Sequence, residues 1–188
     1  MIEEVSGLVI SCARTMERNT ASEIYYLLND IMKVENVNVE VIKELSGIVI
    51  VTFSNNSIKV MKKIEEEYKE NQAILRYTLK LVPFQYKTRT TLDNIKLLAA
   101  KLKEEIGPSD QWKIQLRRRH CSIERDVIIK TIAQEIEKGK VDLINPNKHI
   151  IIEIIGKWTY AGVSTKLEVS IAKLSMEQQE ENREKFTF

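Results

Sequence analysis

The chain has 188 residues, of which 43% are apolar and 30% charged, with only six glycines and three prolines; this excludes a long disordered or low-complexity chain and allows one domain or two small ones. A net charge of +2 says nothing by itself, but its distribution does. Ten basic residues face twelve acidic ones in 1–86, sixteen face ten in 87–166, and three face five in 167–188. A basic middle between acidic flanks is the footprint of a surface that meets a polyanion. Two cysteines make no disulfide framework, the N-terminus MIEEVSGLVI has no basic region leading a long apolar run, and HIIIEII is strand-sized. These features lead us to expect a cytoplasmic protein without a membrane span.

In chain order, GLVISCA (7–13) reads as a strand buried on both faces. Thr20 and Glu23 have the spacing of a helix-capping box, and Ile24, Leu27, Leu28 and Ile31 form the buried stripe of the helix that follows. VNVEVIKEL (37–45) and GIVIVTF (47–53) predict two strands joined at Ser46-Gly47. A helix over about 57–70 turns Ile58, Met61, Ile64 and Tyr68 inward. ILRYTLKLV (74–82) alternates Leu75, Tyr77, Leu79 and Leu81 against polar residues, the period of a strand. The order β-α-β-β-α-β closes most simply as a ferredoxin-like sandwich, and Pro83 is expected to end it. The predicted fold is thus α+β, with a ferredoxin-like domain over 1–86, a smaller α/β domain over 87–166 and a tail over 167–188.

In that second part a helix runs from about Leu92 to Ile106 and stops at Gly107-Pro108. A strand (112–118) then enters Arg117, Arg118 and Arg119, followed by a helix (123–138) that Ser122 is placed to cap. The Gly139-Lys140 turn and strands near 149–155 and 158–164 complete the domain. The tail from Ser175 reads as a helix or a loosely held segment ending in Phe186-Thr187-Phe188.

Three consecutive arginines beside bare N–H groups of a helix start make a ready phosphate site. The plainer alternative is a strand end with ion pairs to Glu124 and Asp126. Arg125 falls on the face of Ile128, Ile132 and Ile136, where it either lines that anion site or pairs with Asp126, Asp142 or Glu153. Lys140, Asn145, Asn147, Lys148 and Lys157 extend the basic surface from turns, and Lys87 and Arg89 from the linker. Trp112, Trp158, Tyr160 and Tyr86 are candidate platforms for bases, though packing is the commoner fate of such residues. Neither His120 nor His149 belongs to a metal-ligand or nucleophile–base pattern, and no P-loop or GxGxxG is present. We therefore expect no cofactor and no catalysis.

The segment WKIQLRRRHCSIERDVIIKTIAQEIEKGKVDLINPNKHIIIEIIGKWTYAGVS resembles the THUMP domain, an RNA-binding module of tRNA-modifying proteins. The resemblance lies in the strand into basic residues, the Ser-x-x-Arg-Asp helix start, Val-Asp-Leu…Asn-Pro-Asn, IIIEI and Gly-Val-Ser. The first strand, Glu17 and the SEIYYLL helix look like the ferredoxin-like domain that precedes THUMP, and VPFQYKT like the segment joining the two. With some twenty-five residues beyond the module, the layout is similar to stand-alone THUMP proteins that assist the acetyltransferase making N4-acetylcytidine in tRNA. The resemblance implies an adaptor holding the tRNA acceptor region and 3′ end for that enzyme. Its phosphate contacts would come from Arg117, Arg118, Arg119, Ser122 and Arg125, widened by Lys140, Asn145, Lys148, Lys157, Lys87 and Arg89. A scaffold that dimerises through apolar edge strands and the Phe186–Phe188 tail is the alternative.

Overall fold

A computed structural model describes residues 1–43 and 45–185, with side chains for all of these except 178, 179 and 181–185. The protein is a mixed α/β fold that divides into two compact units. The first comprises Leu8–Val82 and the described residues from Glu168 on; the second comprises Met1–Gly7 and Pro83–Leu167.

The first unit runs β1 (Glu3–Cys12, shared with the second unit), α1 (Glu17–Tyr25), β2 (Asn38–Val41), β3 (Ile48–Phe53), α2 (Ser57–Glu70) and the start of β4 (Thr78–Arg89). Its strands lie in the order β2-β3-β1-β4, with β2 and β3 antiparallel. Leu8, Ile10, Val49 and Val51 of the sheet are buried with Ile24, Leu27 and Leu28 of the first helix and Met61 and Ile64 of the second. Burying one such side chain completely contributes about 1.5–3 kcal/mol. Asn56 caps α2 by accepting from the Ile58 and Lys59 N–H groups, which leaves Val60 buried and Ile58 half-buried.

Three local expectations fail here for physical reasons. Thr20 and Glu23 form no capping box, because the helix already begins at Glu17 and Thr20 is inside it. Glu23 instead accepts from the backbone N–H groups of Arg76, Tyr77 and Thr78. After Tyr25 the helix widens into a π-helical turn, Tyr26–Ile31. Each wider turn delays the periodicity by about a residue, so Ile31 points outward and Met32 takes the buried place. The strand predicted from Ile74 begins only at Thr78, after a 3₁₀ turn over Gln72–Ile74. Alternation therefore cannot be extrapolated across it; Thr78 is buried while Tyr77 and Leu79 are exposed.

Pro83 does not stop β4, which continues to Arg89. The tail is not loose at its start. Strand β9 (Val169–Ser170) pairs with Lys80 and Leu81 of β4. Helix α5 (Ile171–Lys185) buries Ile171 and Leu174 in the first unit's core, and Ser175 bonds the Tyr68 hydroxyl at 2.6 Å. Phe186-Thr187-Phe188 lie outside the described residues.

The second unit continues through α3 (Leu92–Leu102), β5 (Gln111–Arg119), α4 (Arg125–Glu135), β6 (Lys140–Val141), β7 (Lys148–Ile155) and β8 (Trp158–Ser164). Its strand order is β4-β8-β7-β5-β6; β5 runs parallel to both β6 and β7, and the other pairs are antiparallel. A parallel neighbour requires a crossover, which α4 supplies between β5 and β7. Alternation sends Leu116, Ile150, Ile152, Ile154, Ala161 and Val163 to one face, where Ile95, Leu98 and Leu102 of α3 and Ile128 and Ile132 of α4 cover them. The opposite face carries Lys87, Arg89, Trp158, Tyr160, Glu153, Arg117 and Arg119 in cross-strand register. Gly139, at φ +70°, makes the turn before β6; a Cβ there would lie 2.5 Å from the Asp110 carbonyl oxygen.

Gln85 replaces part of the β4–β8 ladder with its side chain, accepting from Val163 N–H at 3.1 Å and donating to Val163 O at 3.4 Å. Gly162 makes room for this, since a Cβ there would meet Gln85 Oε1 at 1.6 Å. Gly162→Ala is expected to lower stability by about 1–3 kcal/mol, seen in chemical denaturation. Adding Gln85→Ala should relieve part of that loss, a coupling that a double-mutant cycle measures.

Candidate nucleic-acid interface

Strand β5 does not end before its arginines, so alternation splits them between faces. Arg117 and Arg119 share a face, and both reach Glu153 on the neighbouring parallel strand. Arg117 Nη1 lies 3.1 Å from Glu153 Oε1, and Arg119 Nη1 lies 2.6 Å from Oε2. Glu153 is 2% exposed. A carboxylate so far from water is tolerable only when paired and hydrogen-bonded. Two guanidinium groups around one carboxylate leave one net positive charge.

Arg118 points to the helix-covered face, where its Nη1 donates to the Ile123 carbonyl. Arg125 Nη1 donates back to the Leu116 carbonyl at 2.9 Å. The two arginines thereby fasten the 120–124 connection to β5. Ser122 does not cap α4; the cap position is Glu124, and Asp126 occupies the first turn. Carboxylates already stand at the positive end of that helix. The phosphate cradle expected from Arg117, Arg118, Arg119, Ser122 and Arg125 is therefore not assembled: four guanidinium groups serve internal acceptors, and the serine lies outside the helix.

The remaining candidates fall into two groups. Lys140, Asn145, Asn147 and Lys148 lie around the N-terminal end of β5. There Gln111 pairs with Lys140, Trp112 pairs with Lys148, and Gln111 N–H donates to Asn147. Lys148 Nζ donates to the Glu105 carbonyl at 3.3 Å. Beside it, burial and then Glu105 push the Tyr86 hydroxyl up to about 12. The loop that follows β6 is held by Asp142, which accepts from Ile144 N–H and Asn145 N–H at 2.8 Å each. Those donors, Asn145 first, keep the carboxyl below its ordinary range.

Lys87, Arg89 and Lys157 lie at the far end of the same sheet, about 25 Å away along a nine-residue strand. Arg89 pairs with Trp158 and Lys87 with Tyr160, while Thr90 N–H donates to the Lys157 carbonyl at 2.9 Å. Lys87 Nζ is 4.4 Å from the Trp158 ring centroid, and the Arg89 guanidinium carbon is 4.3 Å from it. The indole thus holds two cations, an arrangement that fixes long side chains which would otherwise lose several rotatable bonds on binding an anion. Lys157 is exposed on the adjoining turn. Arg119 closes the same end, its carbonyl accepting from Gly156 N–H at 2.8 Å.

Trp158 is accordingly no free stacking platform, because cations engage its ring. Tyr160 is 1% exposed and packs edge-on against Phe84, and Trp112 is buried with its indole N–H on the Lys138 carbonyl. What sequence reasoning missed is the pairing of Lys87 and Arg89 with Trp158. Its signal was the i, i+2 spacing of the cations, but the partner depends on a register that the sequence leaves open.

Residues 89–164 match the THUMP domain. Comparison with curated proteins returns no match. Among solved structures, PH1313 from Pyrococcus horikoshii is similar at a TM-score of 0.63 and 14% identity, covering 88% of this chain and 55% of that one. TrmN from Thermus thermophilus is similar at 0.57 and 15% identity, covering 84% and 45%. A 4-thiouridine synthetase in complex with RNA and ATP is similar at 0.54 and 10% identity, covering 89% and 42%. At these identities the likeness is one of fold, and the chain spans about half the length of each.

Proposed function

We propose that this protein binds tRNA and serves tRNA modification as a non-catalytic adaptor that holds the acceptor region for a separate enzyme. The observation that carries the reading is the THUMP match over 89–164, within which Arg89 and Trp158 form the cation stack. The fold shared with a 4-thiouridine synthetase captured on RNA supports it. The β-α-β-β-α-β element order and the β2-β3-β1-β4 strand order support reading the first unit as ferredoxin-like, as in proteins with THUMP domains. In this reading Arg89, Lys87 and Lys157 hold backbone phosphates, and RNA is recognised through shape and phosphates more than sequence.

The partner in this reading is an acetyltransferase that makes N4-acetylcytidine. Purified protein should retard intact tRNA in a gel shift, and tRNA acetylation by the enzyme should rise when the protein is added. Turnover on tRNA by this protein alone would contradict the adaptor role; failure to bind tRNA would contradict the whole reading.

A further inference from the structure

The first unit carries an open cleft of about 430 Å³ between α1 and the start of β4, lined by Arg18, Asn19, Ser22, Glu23 and Tyr77. Its volume is within the roughly 300–1,000 Å³ span of small-ligand sites. Arg18, Asn19 and Ser22 recur at i, i+1 and i+4, which places them together on one side of the helix. Tyr77 faces them from the segment before β4 and is 36% exposed.

Glu23 builds the cleft. Its Oε2 accepts from Arg76 N–H at 2.9 Å, and its Oε1 from Thr78 N–H at 2.6 Å and the Thr78 hydroxyl at 2.7 Å. Tyr77 N–H lies 3.1 Å from both oxygens. The ring of Tyr77 is thus carried on a backbone fixed by three N–H donors, with the Thr78 hydroxyl as a fourth donor to the same carboxylate. The other α1 carboxylate, Glu17, accepts from Gly47 N–H at 2.6 Å and Thr15 N–H at 3.2 Å. Both acidic groups of this helix are therefore committed to backbone donors. Among the described residues, the Arg18 guanidinium, the Asn19 amide and the Tyr77 ring have no side-chain partner. An acidic unit that leaves a guanidinium unneutralised beside an exposed aromatic ring presents the chemistry of base recognition: a planar stacking surface, a bidentate fork and a donor–acceptor amide.

We infer that this cleft holds one unpaired purine nucleotide, with the base on Tyr77 and the Arg18 fork on its O6/N7 edge, which favours guanine. Arg18 offers the pair of parallel donors that guanine's two acceptors match, and Asn19 supplies a further donor and acceptor. The cleft is open, so a free mononucleotide binds weakly there and an RNA held elsewhere on the protein binds more tightly. This last point rests on the RNA-binding reading above; the cleft itself does not.

The test compares a hairpin RNA bearing one bulged guanosine with the fully paired hairpin, on the intact protein and on Arg18→Ala and Tyr77→Ala. The bulge should tighten binding to the intact protein by roughly 5- to 150-fold, the range of one stacked base. Both substitutions should erase that preference and leave the paired hairpin unaffected. In parallel, GMP is titrated into the isotope-labelled protein and the backbone amides of residues 18–23 and 76–78 are followed. Saturable shifts there, lost in Arg18→Ala, are expected. GMP shifts without a bulge preference would assign the cleft to free mononucleotides. Absence of both, or persistence of both in the variants, would overturn the inference. If neither hairpin binds, the RNA-binding reading fails, and GMP alone then decides the cleft: shifts sustain it and their absence ends it.

Discussion

Glu153→Ala is expected to lower the unfolding free energy by about 3 kcal/mol, the lower end of the roughly 3–5 kcal/mol lost when one partner of a buried ion pair is removed. The lower end applies because Arg117 and Arg119 keep 24% and 25% of their side chains exposed and can partly rehydrate. The carboxylate is 2% exposed and bridges both cations from the neighbouring strand, so its loss leaves two guanidinium groups side by side on one face of β5. Urea denaturation should show the fall as a lower midpoint at unchanged slope. The triple replacement Arg117→Met, Glu153→Leu, Arg119→Met should recover most of it, since an apolar trio needs no charge compensation. It should also keep its affinity for RNA, because these arginines face Glu153 rather than a ligand.

Reversing charge at the stack, Lys87→Glu with Arg89→Glu, is the substitution expected to harm function most. Each lost hydrogen bond to a charged group is worth about 1.5–3 kcal/mol, so tRNA affinity should fall at least a hundredfold. Both side chains sit on the sheet face away from the α3–α4 core, and Thr88 between them holds the Met1 carbonyl at 3.0 Å. Stability should change little beyond the lost contacts with the Trp158 ring, about 0.5–1 kcal/mol at an exposed site. Tryptophan fluorescence reports the same event from the other side, since Trp158 lies under both cations. A variant that still folds and binds tRNA at full strength would remove the stack from the interface.

Elements with their own periodicity were legible in the sequence. The apolar stripe of α3, the run HIIIEII of β7 and the turn at Gly139-Lys140 need only local residues to specify them. Features that depended on a distant partner were not. Thr20 and Glu23 match a capping box in spacing, yet Glu23 is drawn to N–H groups more than fifty residues away. The three arginines advertised an anion; for Arg117 and Arg119 it proved to be the chain's own Glu153, while Arg118 turned to the Ile123 carbonyl. The signal was present in the one glutamate among five isoleucines of β7, since a carboxylate in such a strand demands cations nearby. Which cations they were depended on the parallel register of β5 on β7, which no local pattern fixes.

The most direct test of the account is the salt dependence of tRNA affinity in the intact protein. Three phosphate contacts, from Lys87, Arg89 and Lys157, at a slope of roughly 0.7–0.9 each, predict a 20- to 40-fold weakening for a fourfold rise in salt. Five contacts, as a free arginine cradle would add, predict roughly 100- to 500-fold. A value in the lower window supports the Trp158 stack as the RNA contact. A value near the upper one would return the site to Arg117–Arg119, and a flat response would contradict phosphate recognition altogether.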